Sequence, residues 1–416
     1  MFSRALLLRG AGGGISQTIG KAGDMGFGVG VYGGSSADLA EMKLTPMAGY
    51  DDPSHANYGN YQHETGSVMC FVPAFCYRIG NPAAPSYQRD KENALEIRDA
   101  ALGEGDGWFL HRAFIDGGQQ KSGFFFDKYI CSKDVYGRYA VSVKNGDNIV
   151  LDSGQAGSNG MMSGCSGSIY DSIALGHARG QAYFVTTAFQ WSAIAMLSLA
   201  HGQAATSSRW CAWYDSLGYT NYPRGNTQSL KDVNESSVVW TPHSAKPNVG
   251  KTGSGTPFNK TTHNGQVSGI TDVSGSQWQV ALGVTNPSTF QINVMKESVS
   301  ACDFEIGNRT DSSFFDSVSI DAGSGAKYWG GNAFDARSES GTPRRSLCGV
   351  LPSSYQSQGN DLLGRDICYL GNGIDSVLLC SGGNSYGASA GIWARYFSSW
   401  NRYAESYGFR IAGYAK

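Results

Sequence analysis

Charge is scarce in this chain. Asp, Glu, Lys and Arg make up 16% of its 416 residues, and the net charge is −2. With no basic stripe, nucleic acid is not an expected partner, and there is no acidic tail. No segment approaches 18 consecutive apolar residues, so no membrane-spanning helix and no membrane insertion are predicted. The short apolar run near the start, Ala5 to Leu8, is too brief for the core of a secretory signal and lacks a cleavage site after it. The expectation is a protein made and folded in a cytoplasm without Sec export. No C-x-x-C pair occurs among the nine cysteines, at 70, 76, 131, 165, 211, 302, 348, 368 and 380. The seven histidines do not cluster with them at ligand spacing, so a zinc centre is not expected. The thiols read as buried or incidental, with disulfides formed in an oxidising exterior as the alternative.

Glycine and aromatics are what the chain has in quantity: 57 Gly, without a G-X-Y period, and 12% Phe, Trp and Tyr. That excludes collagen and points to a loop-rich, β-rich protein of the kind found on virions and in secretions. The length suffices for a sizeable core, as two or three domains or one large domain with insertions.

Texture divides the chain. Residues 1–66 are rich in Gly and small residues, as in GFGVGVYGG and HANYGNYQH, and read as an extended N-terminal assembly or anchoring region. Residues 67–160 read as a β-rich lead-in. SVMCFVPAFCYRIG suits a strand pair with Pro73 at an edge or kink. Asp116-Gly117-Gly118 and Asn145-Gly146 each predict a hairpin turn. Residues 161–416 hold the clearest helix, TTAFQWSAIAMLSLAHG, with Thr187 and Gln190 as a capping box and Gly202 as its stop. A weaker helix covers Ser168 to Ala178, and the short strand QAYFVTT lies between the two.

The most informative stretch is Ser381 to Tyr407. Its 27 residues include four Tyr, two Trp, six Ser, four Gly and two Asn, with no Lys, no Asp and a single acid, Glu405. Tyr and Trp offer large amphipathic contact area at low entropic cost, and Ser, Gly and Asn offer adaptable hydrogen bonds. YGFRIAGY follows at once and alternates like a closing strand. In GIWARYF the alternation puts Trp393, Arg395 and Phe397 on one face, and Trp393 is assigned to packing. The residues expected to be presented are Tyr386, Ser389, Tyr396, Ser399, Trp400, Asn401, Arg402, Tyr403, Ser406 and Tyr407. The alternative is that half of them pack between subunits.

Two helices followed by short strands and long loops resemble an α+β, C-type-lectin-like fold. KYICSKD, YFVTTAFQWSAIAML, THNGQVSGITDVSGSQW and YGFRIAGY resemble, in order, four segments of the branch shared by formylglycine-generating enzymes and phage receptor-binding proteins. The second is similar to its "T-N-A-E-W" helix start and the third to its "G-V-x-D-x-x-G-N-x-W-E-W" segment. The aromatic tail resembles the variable region of the major tropism determinants of phages, which retroelements diversify. The resemblance implies a bacteriophage virion-surface protein, a tail or head fibre, that binds a bacterial surface receptor, protein or glycan, through its C-terminal loops. It also implies a homotrimer with other virion proteins as partners. A structural virion component (baseplate, collar or capsid decoration) is the alternative.

Catalysis is not expected. The enzyme branch needs a cysteine pair near its C-terminal region, and Gly382 to Trp400 holds none. No cofactor is expected either. Family members place an acid where Asp272 stands, with Asn and Glu neighbours that support a structural calcium or a buried hydrogen-bond network. Here those neighbours are Ser276 and Gln279, which favours a polar turn held by the Asp side chain over calcium. His263 reads as a turn-capping residue, and Arg410 as a structural ion pair or backbone contact.

Overall fold

The computed structural model describes residues 17–151, 168–214, 225, 227–288, 291–319, 326–329, 334, 346–352, 355–356, 366–369, 375–402 and 404–415. Helices and strands interleave along them, an α+β organisation. The helices include α1 (Ser36–Glu41), α2 (Ile169–His177) and α3 (Ala188–Ala204), with a single turn at Tyr87–Asp90. One sheet comprises β1 (Leu44–Pro46), β2 (Asn60–His63), β3 (Val68–Pro73), β4 (Gly123–Asp127), β5 (Tyr183–Val185) and the terminal strand β15 (Ile411–Gly413), in the order β1-β2-β3-β4-β15-β5, all antiparallel. The second comprises β6 (Trp278–Ser288), β7 (Gln291–Met295), β8 (Phe315–Ser319), β9 (Ala326–Trp329), β10 (Tyr355–Gln356), β11 (Ile367–Tyr369), β12 (Ser376–Cys380) and β13 (Arg395–Ser399), in the order β8-β7-β6-β12-β13-β11-β9-β10. The short β14 (Tyr407–Gly408) lies parallel to β6.

α3 begins where the capping box places it. The Thr187 hydroxyl accepts from Gln190 N, and Gln190 Oε1 accepts from Thr187 N at 2.9 Å. It does not stop at Gly202 but runs to Ala204, and every residue except Ala204 is buried. A helix apolar around most of its circumference belongs in a core. There, tertiary packing outweighs the roughly 1 kcal/mol that glycine costs inside a helix. α3 packs on β6, on the Arg112–Phe114 turn and on the strand Leu95–Asp99. The run Phe124, Phe125 and Phe126 in β4 is buried on both faces, as a central strand should be. Phe126 meets Trp191 of α3 edge-on at 5.6 Å, while Phe125 packs on Tyr61 and Phe71 at 5.2 and 5.0 Å.

Pro73 marks a kink. It ends β3, and after Ala74 the chain enters another strand, Phe75–Ile79, in a separate three-stranded sheet. The two expected hairpins differ in outcome. Gly117 and Gly118, at φ 59° and 73°, make a two-residue turn, but it joins only Ile115–Asp116 to Gln119–Gln120. The Asn145-Gly146 hairpin does not form: Ala140–Val141 pairs instead with Ser132–Lys133, and Gly146 bridges to Thr252.

Residues 17–66, expected as an extended assembly region, supply β1 and β2, and β2 pairs with β3 across position 66. Ile19, Phe27, Val29, Val31, Tyr58 and Tyr61 enter the common core. Polar side chains from α3 and the 263–266 turn hold this glycine-rich backbone. His201 Nδ1 accepts from Gly23 N at 3.0 Å, Asn264 Nδ2 donates to Phe27 O at 2.8 Å, and Gln266 Oε1 accepts from Gly26 N at 2.8 Å. The Phe27 ring stacks on His201 at 5.2 Å. His263 is buried and bridges two backbones. Its Nδ1 accepts from Ile270 N at 3.0 Å, and its Nε2 lies 3.2 Å from Gly28 O. It caps its turn, as expected, and does so from the interior.

YGFRIAGY is not one strand. Tyr407–Gly408 belongs to the second sheet and Ile411–Gly413 to the first. Phe409 and Arg410 between them are buried, so the segment stitches the two sheets together. Arg410 donates to the carbonyls of Asp127, Lys128, Thr271 and Asp272 and, through Nε, to Gln279 Oε1 at 2.6 Å. That is the backbone contact expected of it. Burial lowers its pKa to about 10, against the pull of the Asp272 and Asp127 carboxylates, so it stays charged at neutral pH.

Candidate functional site

The C-terminal segment leaves β12 through a turn that only small residues can make. Ser381 and Gly382 both have positive φ, and a Cβ at Gly382 would lie 2.7 Å from Ala390 Cα. A Cβ at Gly383 would lie 2.8 Å from the Trp278 ring. The glycine pair therefore lets the backbone cross the indole of Trp278 at contact distance. Asn384 fastens the turn, donating from its backbone N–H to Ser276 O at 3.1 Å and from Nδ2 to Asn248 O at 2.6 Å.

Beyond that turn the segment divides into an inner and an outer set. The inner set is Trp393, Arg395, Phe397, Trp400 and Tyr407. Trp393, as expected from the alternation, is fully buried against Trp329 at 5.1 Å and Phe334 at 5.4 Å. Arg395 donates to the carbonyls of Val350, Ile392, Ala394 and Gly349. Trp400 and Tyr407, expected to be presented, are 1% and 5% exposed. Trp400 is sandwiched between Tyr170 of α2 and Phe304, stacked on both at 6.4 and 6.0 Å. Tyr407 pairs along β6, and its hydroxyl lies 3.1 Å from Ser398 Oγ. Both are packing residues.

The outer set gathers on Trp278. Tyr386, 37% exposed, meets that indole edge-on at 5.2 Å, and the half-buried Tyr396 lies tilted against it at 5.5 Å. Tyr369 of β11 completes the row, its ring 5.3 Å from Tyr396. Tyr369 was not among the residues expected from sequence. It arrives because β11 runs parallel to β13 with Tyr369 opposite Tyr396, a pairing that no local pattern announces. Arg402 is exposed, and its charge is felt at the Tyr386 phenol. Burial, then Tyr396 and Tyr369, raises the Tyr386 pKa, so its hydroxyl stays a neutral donor and acceptor. Asn401 is exposed, and Ser389, Ser399 and Ser406 are half-buried. Alternation along β13 puts Ser399 on the opposite side from Tyr396. Tyr403 lies outside the described residues.

The surroundings of the row supply polar contacts. Burial pushes the Cys380 thiol up to about 11, so it is not a thiolate near neutral pH. Asp272 is buried with φ 53°. Its carboxylate accepts from Trp240 Nε1 at 3.0 Å, Thr252 Oγ1 at 3.2 Å and Gly253 N at 2.6 Å, a buried network that occupies both oxygens. Among the described residues no group of three or more His, Cys, Asp or Glu side chains is placed to hold a metal ion. No described helix is long and apolar enough to cross a membrane.

No family model matches the sequence, and no curated protein matches it. Among solved structures it is similar to the Major Tropism Determinant M1 variant (TM-score 0.31, 12% identity), the I1 variant (0.30, 11%) and the U1 variant (0.30, 12%). Each match covers 84% of this chain but only 63% of the other. The likeness is one of fold, and it is weak.

Proposed function

We propose that this chain is a bacteriophage virion-surface protein of C-type-lectin-like fold that binds a bacterial surface receptor, and that it acts by binding rather than by catalysis. The observation that carries the reading is the tyrosine row Tyr369, Tyr396 and Tyr386 on Trp278, framed by a glycine turn at one end and the Arg410 stitch at the other. The four sequence segments of the lectin-like branch, in their order, add support. Binding desolvates the tyrosine rings, of which Tyr386 and Tyr396 are already packed on Trp278 and Tyr369 on Tyr396, so little conformational entropy is lost. Arg402, Asn401 and the serines Ser389 and Ser406 supply the polar rim. In a homotrimer, several modest sites act together through effective concentration.

Two measurements test this. The purified protein, added to host cells before virions, blocks adsorption if the reading holds; undiminished adsorption contradicts it. A Tyr386→Cys variant labels with a maleimide on intact virions if the row faces the host. Protection there, with labelling of the free protein, marks the row as an assembly contact with another virion protein.

A further inference from the structure

A cavity of about 460 Å³ lies away from the tyrosine row, with no lining residue in common. Its walls come from the Ser132–Lys133/Ala140–Val141 hairpin, the chain on either side of β1 and β2, and the residues that follow α2. The size falls within the range of about 300–1,000 Å³ usual for small-ligand sites. The hairpin tip is well built. Gly137 N donates to Asp134 O at 3.0 Å, Asp134 N donates to Tyr139 O at 3.0 Å, and Asp134 Oδ1 accepts from Tyr139 N at 3.0 Å. This tip carries Val135, 92% exposed, and Tyr136, 74% exposed, into solvent. The Arg138 guanidinium lies over the rings of Tyr136 and Tyr139, at 4.5 and 5.8 Å from their centroids.

The charges do not cancel. Lys43 is paired with Glu64. Asp134 is engaged by the turn and reaches Arg138 only at 3.9 Å. The Lys133 ammonium, partly desolvated, has no hydrogen bond or ion pair among the described residues. Two tyrosine rings beside two incompletely matched cations form a surface of defined chemistry. An aromatic ring covers the C–H face of a sugar, and ammonium and guanidinium groups take a carboxylate or phosphate. We propose that this cavity is a second ligand site, which takes an acidic saccharide through Lys133, Arg138 and Tyr139. It stands independently of the receptor reading for the tyrosine row.

Titration calorimetry on the full chain tests it with four probes: trigalacturonate, glucose 6-phosphate, an uncharged galactose trisaccharide and hexaglutamate. The expected result is binding of at least one of the first two, with the uncharged trisaccharide and hexaglutamate each at least about tenfold weaker, the scale of one charge-assisted hydrogen bond. Lys133→Gln and Tyr139→Ala each weaken the bound acidic sugar by about tenfold, while thermal melts confirm that both variants stay folded. Failure of both acidic sugars to bind overturns the proposal, as does unchanged affinity in folded Lys133→Gln. Hexaglutamate binding as tightly through the same residues also overturns it, making the cavity a dock for acidic peptide.

Discussion

Two irregular, glycine-containing stretches of this chain, residues 17–34 and 381–407, are fixed in opposite ways. The first has few large side chains of its own, and its backbone is gripped from outside by His201, His263, Asn264 and Gln266. The second grips the core with its own Trp393, Arg395 and Trp400, and so leaves Tyr386, Tyr396 and Arg402 outward. A segment held by borrowed polar groups depends on its neighbours for its place. One held by alternate residues of its own keeps the others available for a partner.

The comparison can be broken at four places. Trp400→Ala empties the slot between Tyr170 and Phe304 and is expected to cost about 3–5 kcal/mol, read from urea unfolding. A cost under about 1 kcal/mol would return Trp400 to the presented set. Acidification attacks the other stretch. Burial lowers His201 to about 4 and His263 to about 3, so both are neutral in the fold. The unfolded chain takes up these protons below pH 6.5 or so. Stability is therefore full above that pH and falls as pH drops from there toward 4 and 3, by roughly 2 kcal/mol per histidine at pH 5. Urea midpoints at pH 7 and pH 5 check the sign, which is opposite to that of a histidine held by a carboxylate. Asn264→Ala removes the bond to Phe27 O and is expected to cost about 1–2 kcal/mol. Protease sensitivity of residues 17–34 should rise with it. Tyr386→Ala, at the mild end, is expected to shift stability by less than about 0.5 kcal/mol, although it lies in the same segment as Trp400.

What could be read from sequence was local. The α3 capping box, the Ser168 start of α2, the kink at Pro73 and the inward Trp393 each rest on residues a few positions apart. Gly202 misled because the helix is enclosed, and packing overrides propensity there. Asn145-Gly146 misled because Gly146 bridges to Thr252, far along the chain, instead of closing a hairpin. Trp400 and Tyr407 share the composition of a binding surface with Tyr386 and Tyr396. Only the arrival of Tyr170, Phe304 and β6 separates the two groups, and those partners are distant in sequence. Tyr369 was invisible for the same reason: its place beside Tyr396 follows from a parallel strand pairing.

The most direct test is the affinity of a Tyr386→Ala/Tyr396→Ala double variant for host cells, measured beside wild type with melts showing that both are folded. The expected result is a loss of about 30-fold or more, the effect of removing central aromatic anchors. Unchanged affinity in a folded double variant would contradict it.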